Sequence, residues 1–143
     1  MKKSISLVLV FVMVFAFASC GKKVSENLQL PFGLDDVQAV AIYKAADCLK
    51  VEEAETIQLI IEHLSKTQVE NTSEIVASPE NSTLYEFCFE LDDGNKYVIQ
   101  YYAAGVKKGS IDINYGETTY STTSDVGWIW DVLVPSDHHP KIL

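Results

Sequence analysis

The residues of this chain best equipped for chemistry are three cysteines, Cys20, Cys48 and Cys88, and three histidines, His63, His138 and His139. Asp137-His138-His139 carries ligand types that suit a transition metal. It lies in a Pro-bounded stretch without spaced partners, however, and reads as a tail. His63 falls on the polar side of a helical stripe, with no second His or Cys at metal-ligand spacing, and reads as a surface histidine. Cys88 with a distant histidine would make a nucleophile and base, but sequence order does not bring the two together. Asp92-Asp93-Gly94-Asn95 superficially resembles a calcium loop. Counting back from Gly94 puts Phe89 and Leu91 at the first and third ligand positions, which excludes an EF-hand. A phosphate-binding glycine loop, a G-x-S-x-G elbow and an H-E-x-x-H helix are all missing from the sequence. The expectation is therefore no catalytic residue, no metal site and no cofactor.

Charge narrows the partners. From Val24 onward there are 7 Lys against 20 Asp and Glu, a formal charge of −13. All 11 basic residues are lysines, so the guanidinium fork that clamps phosphate and reads guanine is lacking. Nucleic acid is excluded as an expected partner, and an anionic membrane would repel the domain itself. At 143 residues with 48% hydrophobic content, the chain has room for one packed domain of about 100 to 120 residues.

The N-terminus supplies a membrane connection. Lys2 and Lys3 precede Ile5 to Ala18, a 14-residue stretch broken only by Ser6. That is short of the roughly 20 residues a transmembrane helix needs, and it reads as an export signal spanning residues 1–19. Two processing outcomes remain open. Ala16-Phe17-Ala18 fits ordinary signal peptidase, giving a secreted soluble product. Phe17-Ala18-Ser19-Cys20-Gly21 resembles the lipobox of bacterial lipoproteins, which implies cleavage before Cys20 and diacylglycerol on its sulfur. On that reading the protein is exported and anchored by lipid to the outer side of the cytoplasmic membrane. Residues 20–33 then form a flexible linker, 34–134 a single domain and 135–143 a tail.

The elements of the domain follow from periodicity. Val37 to Lys44 reads as a strand, and Glu52 to Ser65 as a helix with Ile57, Ile60, Ile61 and Leu64 on one stripe. A short edge strand is expected near Thr67 to Asn71. From Leu84 to Thr122 the alternation fixes a register. A three-residue Asp92-Asp93-Gly94 loop pairs Phe89 with Tyr97, Phe87 with Ile99 and Tyr85 with Tyr101. Tyr101 then faces Ile111 and Ile99 faces Ile113. A Gly116-Glu117 turn pairs Tyr115 with Thr118 and Ile113 with Tyr120. The expected class is α+β: an antiparallel meander of four to five strands, one face covered by the helix and by a C-terminal helical segment bearing Val126, Ile129, Trp130 and Leu133. Cys48 falls outside the meander, and Cys48 and Cys88 are expected as free thiols.

The opposite face of the meander is polar and acidic. It reads either as a solvated surface or as a binding face built on Glu86, Glu90, Gln100, Tyr102, Asp112 and Asn114. The order of signal with Cys, linker, strand, helix, meander and Trp-bearing end resembles small uncharacterised lipoproteins of low-GC Gram-positive bacteria. That resemblance implies a surface-anchored α+β domain and assigns no functional residue. The expectation is a non-catalytic protein that binds a protein, peptide or envelope ligand. A small envelope enzyme or metal-binding protein and a purely structural surface module are the alternatives.

Overall fold

The computed structural model describes residues 25–71, 79–105 and 107–134. The signal segment, Cys20 and Asp137-His138-His139 lie outside the described residues. Among those described, eight strands form one sheet: β1 (Ser25–Asn27), β2 (Val37–Lys44), β3 (Asp47–Val51), β4 (Gln68–Asn71), β5 (Thr83–Leu91), β6 (Lys96–Gly105), β7 (Lys108–Ile113) and β8 (Thr118–Thr122). Their spatial order is β1-β4-β8-β7-β6-β5-β2-β3, and every adjacent pair is antiparallel. Two helices complete the fold, α1 (Ala54–Ser65) between β3 and β4 and α2 (Trp128–Leu133) after β8.

The α+β class holds, but four to five strands understates the sheet. The strands with the weakest sequence signals are β1, β3 and β4. The turn from β2 to β3 is the two-residue Ala45-Ala46, closed by the pair Lys44 and Asp47, with none of the Gly, Asn or Asp that mark such turns. Ala45 itself takes the left-handed conformation, φ +52°. The strand expected near Thr67 to Asn71 is present as β4, but it is not an edge, because β1 pairs along its outer side.

That pairing also corrects the linker. Residues up to Gly33 were expected to be a tether, yet the chain joins the sheet at Ser25. Leu28 is only 3% exposed, and its N–H donates to the Thr67 carbonyl at 2.9 Å. The Phe32 ring lies 4.9 Å from that of Phe89 and 5.3 Å from that of Tyr97, edge-on to the latter. Leu28, Leu30 and Phe32 all pack on the core, and their spacing of two residues is the alternation that marks them as part of the fold.

One face of the sheet carries the core. Val40, Ile42, Phe87, Phe89, Ile99, Tyr101 and Ile111 form a single cluster with Ile57, Ile60 and Leu64 of α1 and with Val126, Ile129 and Trp130 around α2. Each such side chain contributes roughly 1.5–3 kcal/mol when taken out of water. The helices also touch each other. The His63 ring stacks on Trp128 with centroids 4.9 Å apart, and His63 Nε2 donates to the Asp125 carbonyl at 3.1 Å. His63 is therefore half-buried as a bridge between the helices rather than a free surface residue. Gly109 is required where β7 passes over Tyr101: a Cβ there would sit 2.5 Å from the ring and 2.8 Å from the Tyr102 carbonyl oxygen.

If Phe32 belongs to the core, Phe32→Ala should cost about 2 kcal/mol in urea unfolding, less than a fully buried Phe because it is half-buried. A loss below about 0.5 kcal/mol would return residues 25–33 to the status of an appended tether.

Candidate functional site: the outer sheet face

Among the described residues the helices cover one side of the sheet; on the other side Ala39, Ala41, Val98 and Ser110 are buried, while Glu86, Gln100, Tyr102 and Asp112 are half-buried. Opposed residues on neighbouring antiparallel strands share a face, so the register lays this face out in rows. One row runs Thr119, Asp112, Gln100, Glu86, Tyr43, Cys48 from β8 across to β3. Below it lie Val98, Cys88, Ala41 and Lys50, and above it Ser121, Ser110, Tyr102 and Leu84. Glu90 stands between Lys96 and Ala39 at one border.

Side chains in the middle of the face are linked. The Tyr102 hydroxyl donates to Gln100 Oε1 at 3.4 Å, and Gln100 Nε2 donates to Glu86 Oε2 at 2.8 Å. The donor chain thus ends on a carboxylate, which has lone pairs for further donors. Tyr43, 42% exposed, shares a hydrogen bond with the Cys48 thiol, and that bond is the first cause pushing its hydroxyl pKa up. Tyr43, Ala45, Ser82, Thr83, Leu84 and Glu86 line an open cleft of about 520 Å³ at the end of this row.

Tyr115 joins the face by an unexpected route. The turn after β7 has Ile113 opposite Thr118 and Ile111 opposite Tyr120, two residues away from the expected register. A shift of two leaves every face unchanged but inserts a four-residue loop. Asn114, Tyr115 and Gly116 all take positive φ, +46°, +60° and +96°. A left-handed conformation costs a residue such as tyrosine roughly 1–2 kcal/mol. Asn114 offsets part of this: its N–H donates to the Val98 carbonyl at 2.8 Å, while its side-chain Oδ1, not its own carbonyl, accepts the Val98 N–H at 3.0 Å. Its Nδ2 donates to Glu117 at 3.0 Å. The expected pairing of Tyr115 with Thr118 is lost, and Tyr115 stands 68% exposed. Its hydroxyl pKa is pushed up first by the Glu86 charge, then by burial and by Cys88; Glu86 and Cys88 both belong to the outer face.

No family model, curated protein or solved structure matches the chain. The site must therefore be read from its own geometry.

Of the residues expected on a binding face, Glu86, Gln100, Tyr102 and Asp112 come together in one patch. Glu90 lies at the border, 4.0 Å from Lys50. Asn114 is committed to holding the turn. Tyr43 and Tyr115 are additions that the sequence reading passed over. Alternation within VQAVAIYK, with Val40 and Ile42 buried, was the available signal for Tyr43. For Tyr115 the signal was an Asn-x-Gly stretch tolerant of left-handed backbone.

The cysteines also need relocating. Cys48 is not in a separate part of the fold: it lies on β3, opposite Tyr43, on the face that carries Cys88. Both thiols are free. With β2 between them they are roughly 10 Å apart by strand spacing, beyond disulfide reach. Burial is the first cause raising the Cys88 pKa, with Glu86 and Glu90 adding to it and Lys96 opposing, so Cys88 stays a thiol at neutral pH. His63 is on the helical side of the sheet, so it cannot serve Cys88 as a base. Among the described residues no cluster of three or more His, Cys, Asp or Glu is placed to hold a metal, and no helix is long and apolar enough to cross a membrane.

Two measurements check this geometry. Asn114→Ala should cost about 2 kcal/mol, from the stranded Val98 N–H and the left-handed backbone, while Asn114→Gly, which relieves the backbone, should cost less. Equal losses would mean that the left-handed backbone at Asn114 contributes little and that the lost Oδ1 bond carries the effect. Burial is the first cause raising the hydroxyl pKa of Tyr97, Tyr101 and Tyr102 above 10.0. A raised pKa of this kind means the fold favours the neutral phenol, so the associated stability is full below the unfolded value and is lost as pH rises through the folded values. Unfolding midpoints in urea should therefore hold steady up to about pH 10 and fall above it. A native-state phenolate titration in one ordinary step, with no fall in stability, would contradict this.

Proposed function

We propose that this is a lipid-anchored extracytoplasmic protein that binds a protein, peptide or envelope ligand on its outer sheet face, without catalysing a reaction. The observation that carries the binding role is the asymmetry of the sheet. One face is sealed by two helices, while the other presents Tyr43, Leu84 and Tyr115 as exposed large side chains around the hydrogen-bonded Glu86 and Gln100. Aromatic rings beside directed hydrogen-bonding groups provide contact area at low entropic cost. Tyr115 is displayed there at the expense of left-handed backbone, and strain of this sort clusters at functional sites.

The anchor rests on the lipobox-like Phe17-Ala18-Ser19-Cys20 and on charge. A domain of formal charge −13 from Val24 onward gains nothing electrostatically from an anionic bilayer. Diacylglycerol provides the two chains that stable attachment requires.

Mass and phase partitioning of the processed protein test the anchor. Wild type should begin at a diacylated Cys20 and enter the detergent phase, and Cys20→Ala should stay aqueous. A soluble wild-type product beginning at Ser19 would reverse the assignment. For the face, a partner captured from envelope extracts by wild type should be lost with Glu86→Lys, Gln100→Ala or Tyr102→Ala and kept with Glu55→Lys on α1. Retention by all three face variants would remove the outer face from the proposal.

A further inference from the structure

We propose that the occupant of the outer face is a basic, lysine-bearing peptide segment, seated with an ammonium group against Glu86 among Tyr43, Tyr102 and Tyr115; this rests on the binding-face reading above. The argument is one of charge and shape complementarity.

Ion pairing leaves the middle of the face with uncompensated carboxylates. Among the described residues the ion pairs are Lys44 with Asp131, Lys50 with Glu52 and Lys50 with Glu90. Glu86 and Asp112 take part in none of them. On the same face Lys50 is engaged at the Glu90 border, where Lys96 also stands opposite Glu90. The two carboxylates flank Gln100 in register, and the amide donor of Gln100 is spent on Glu86. In a domain with 7 Lys against 20 acidic residues from Val24 onward, an anionic partner would be repelled and a cationic one drawn in.

The tyrosines supply the second half of the recognition. Tyr43 precedes Glu86 in its row, Tyr102 reaches Gln100, and the Tyr115 hydroxyl lies near enough to Glu86 to feel its charge. A carboxylate bordered by phenol rings suits an alkylammonium, which pairs with the charge and lies against the ring faces. Shape then favours a peptide over a compact ligand. The face is a broad sheet surface with an open cleft at the Tyr43 and Leu84 end, and long side chains from an extended chain can follow its rows.

The test uses the full chain in non-ionic detergent. Its probes are a nine-residue lysine-serine peptide, the same peptide with acetylated lysines, and an N-acetylglucosamine oligosaccharide. Binding is followed by fluorescence anisotropy and by amide shifts of Glu86, Gln100 and Tyr102. The lysine peptide should bind at least ten-fold tighter than the acetylated one and weaken as salt is raised. Glu86→Gln combined with Asp112→Asn should weaken it at least ten-fold, and Tyr115→Ala about three-fold. Glu55→Gln should leave it unchanged, with thermal unfolding showing that each variant is folded. Equal binding of the acetylated peptide, or an unchanged affinity in the double variant, overturns the proposal. If the oligosaccharide shifts these residues and the lysine peptide does not, the binding face stands and its cationic specificity falls. If none of the probes perturbs the face, the cationic-peptide proposal is overturned, and capture from envelope extracts decides the binding face separately.

Discussion

Everything in this fold depends on Phe87 standing opposite Ile99. Both are without exposure to solvent, and because side chains alternate across a strand, fixing that pair fixes the face of every neighbour on β5 and β6. Gly94, at φ +85°, lets the loop close with Leu91 N–H on the Asn95 carbonyl at 2.9 Å, which sets the pair. A one-residue slip would send the aromatic row into solvent and bring Glu86 and Gln100 under the helices, where an unpaired carboxylate costs several kcal/mol. The polar patch is therefore positioned by the core it is separated from.

The sequence was most informative where turn chemistry and alternation constrained each other. The hairpin from β5 to β6 has the expected register throughout, including Glu90 opposite Lys96, and β6 meets β7 with Tyr101 on Ile111 as expected. The stripes of α1 and α2 likewise marked buried residues. Legibility failed where the structure uses residues against type. Ala45 turns a corner usually given to Gly or Asn, which concealed β3 and with it the position of Cys48. Asn114 lends a side-chain oxygen to the ladder in place of its carbonyl, which displaced the β7 to β8 register and concealed Tyr115. In the Leu28 to Phe32 segment, Pro31 and neighbouring polar residues outweighed an alternation that was present.

The patch itself was half legible. Parity alone grouped Glu86, Gln100, Tyr102 and Asp112, since these sit on strands whose register was readable. Tyr43 and Tyr115 come from places where it was not, and they add two exposed phenol rings to a surface whose only legible aromatic was Tyr102. That difference separates a solvated face from one able to hold a ligand cation, because a carboxylate in open water competes poorly with hydration.

The early entry of the chain into the sheet has a mechanical consequence. On the proposed anchor at Cys20, five residue steps separate the lipid from Ser25, a leash of at most about 17 Å fully extended. A leash that short does not let the domain roam. It keeps the β1 edge close to the bilayer, so the sheet would meet the membrane edge first, with its polar face turned sideways along the surface. A ligand would then approach laterally through the envelope, and any pull on the domain would be carried first by the three residues of β1.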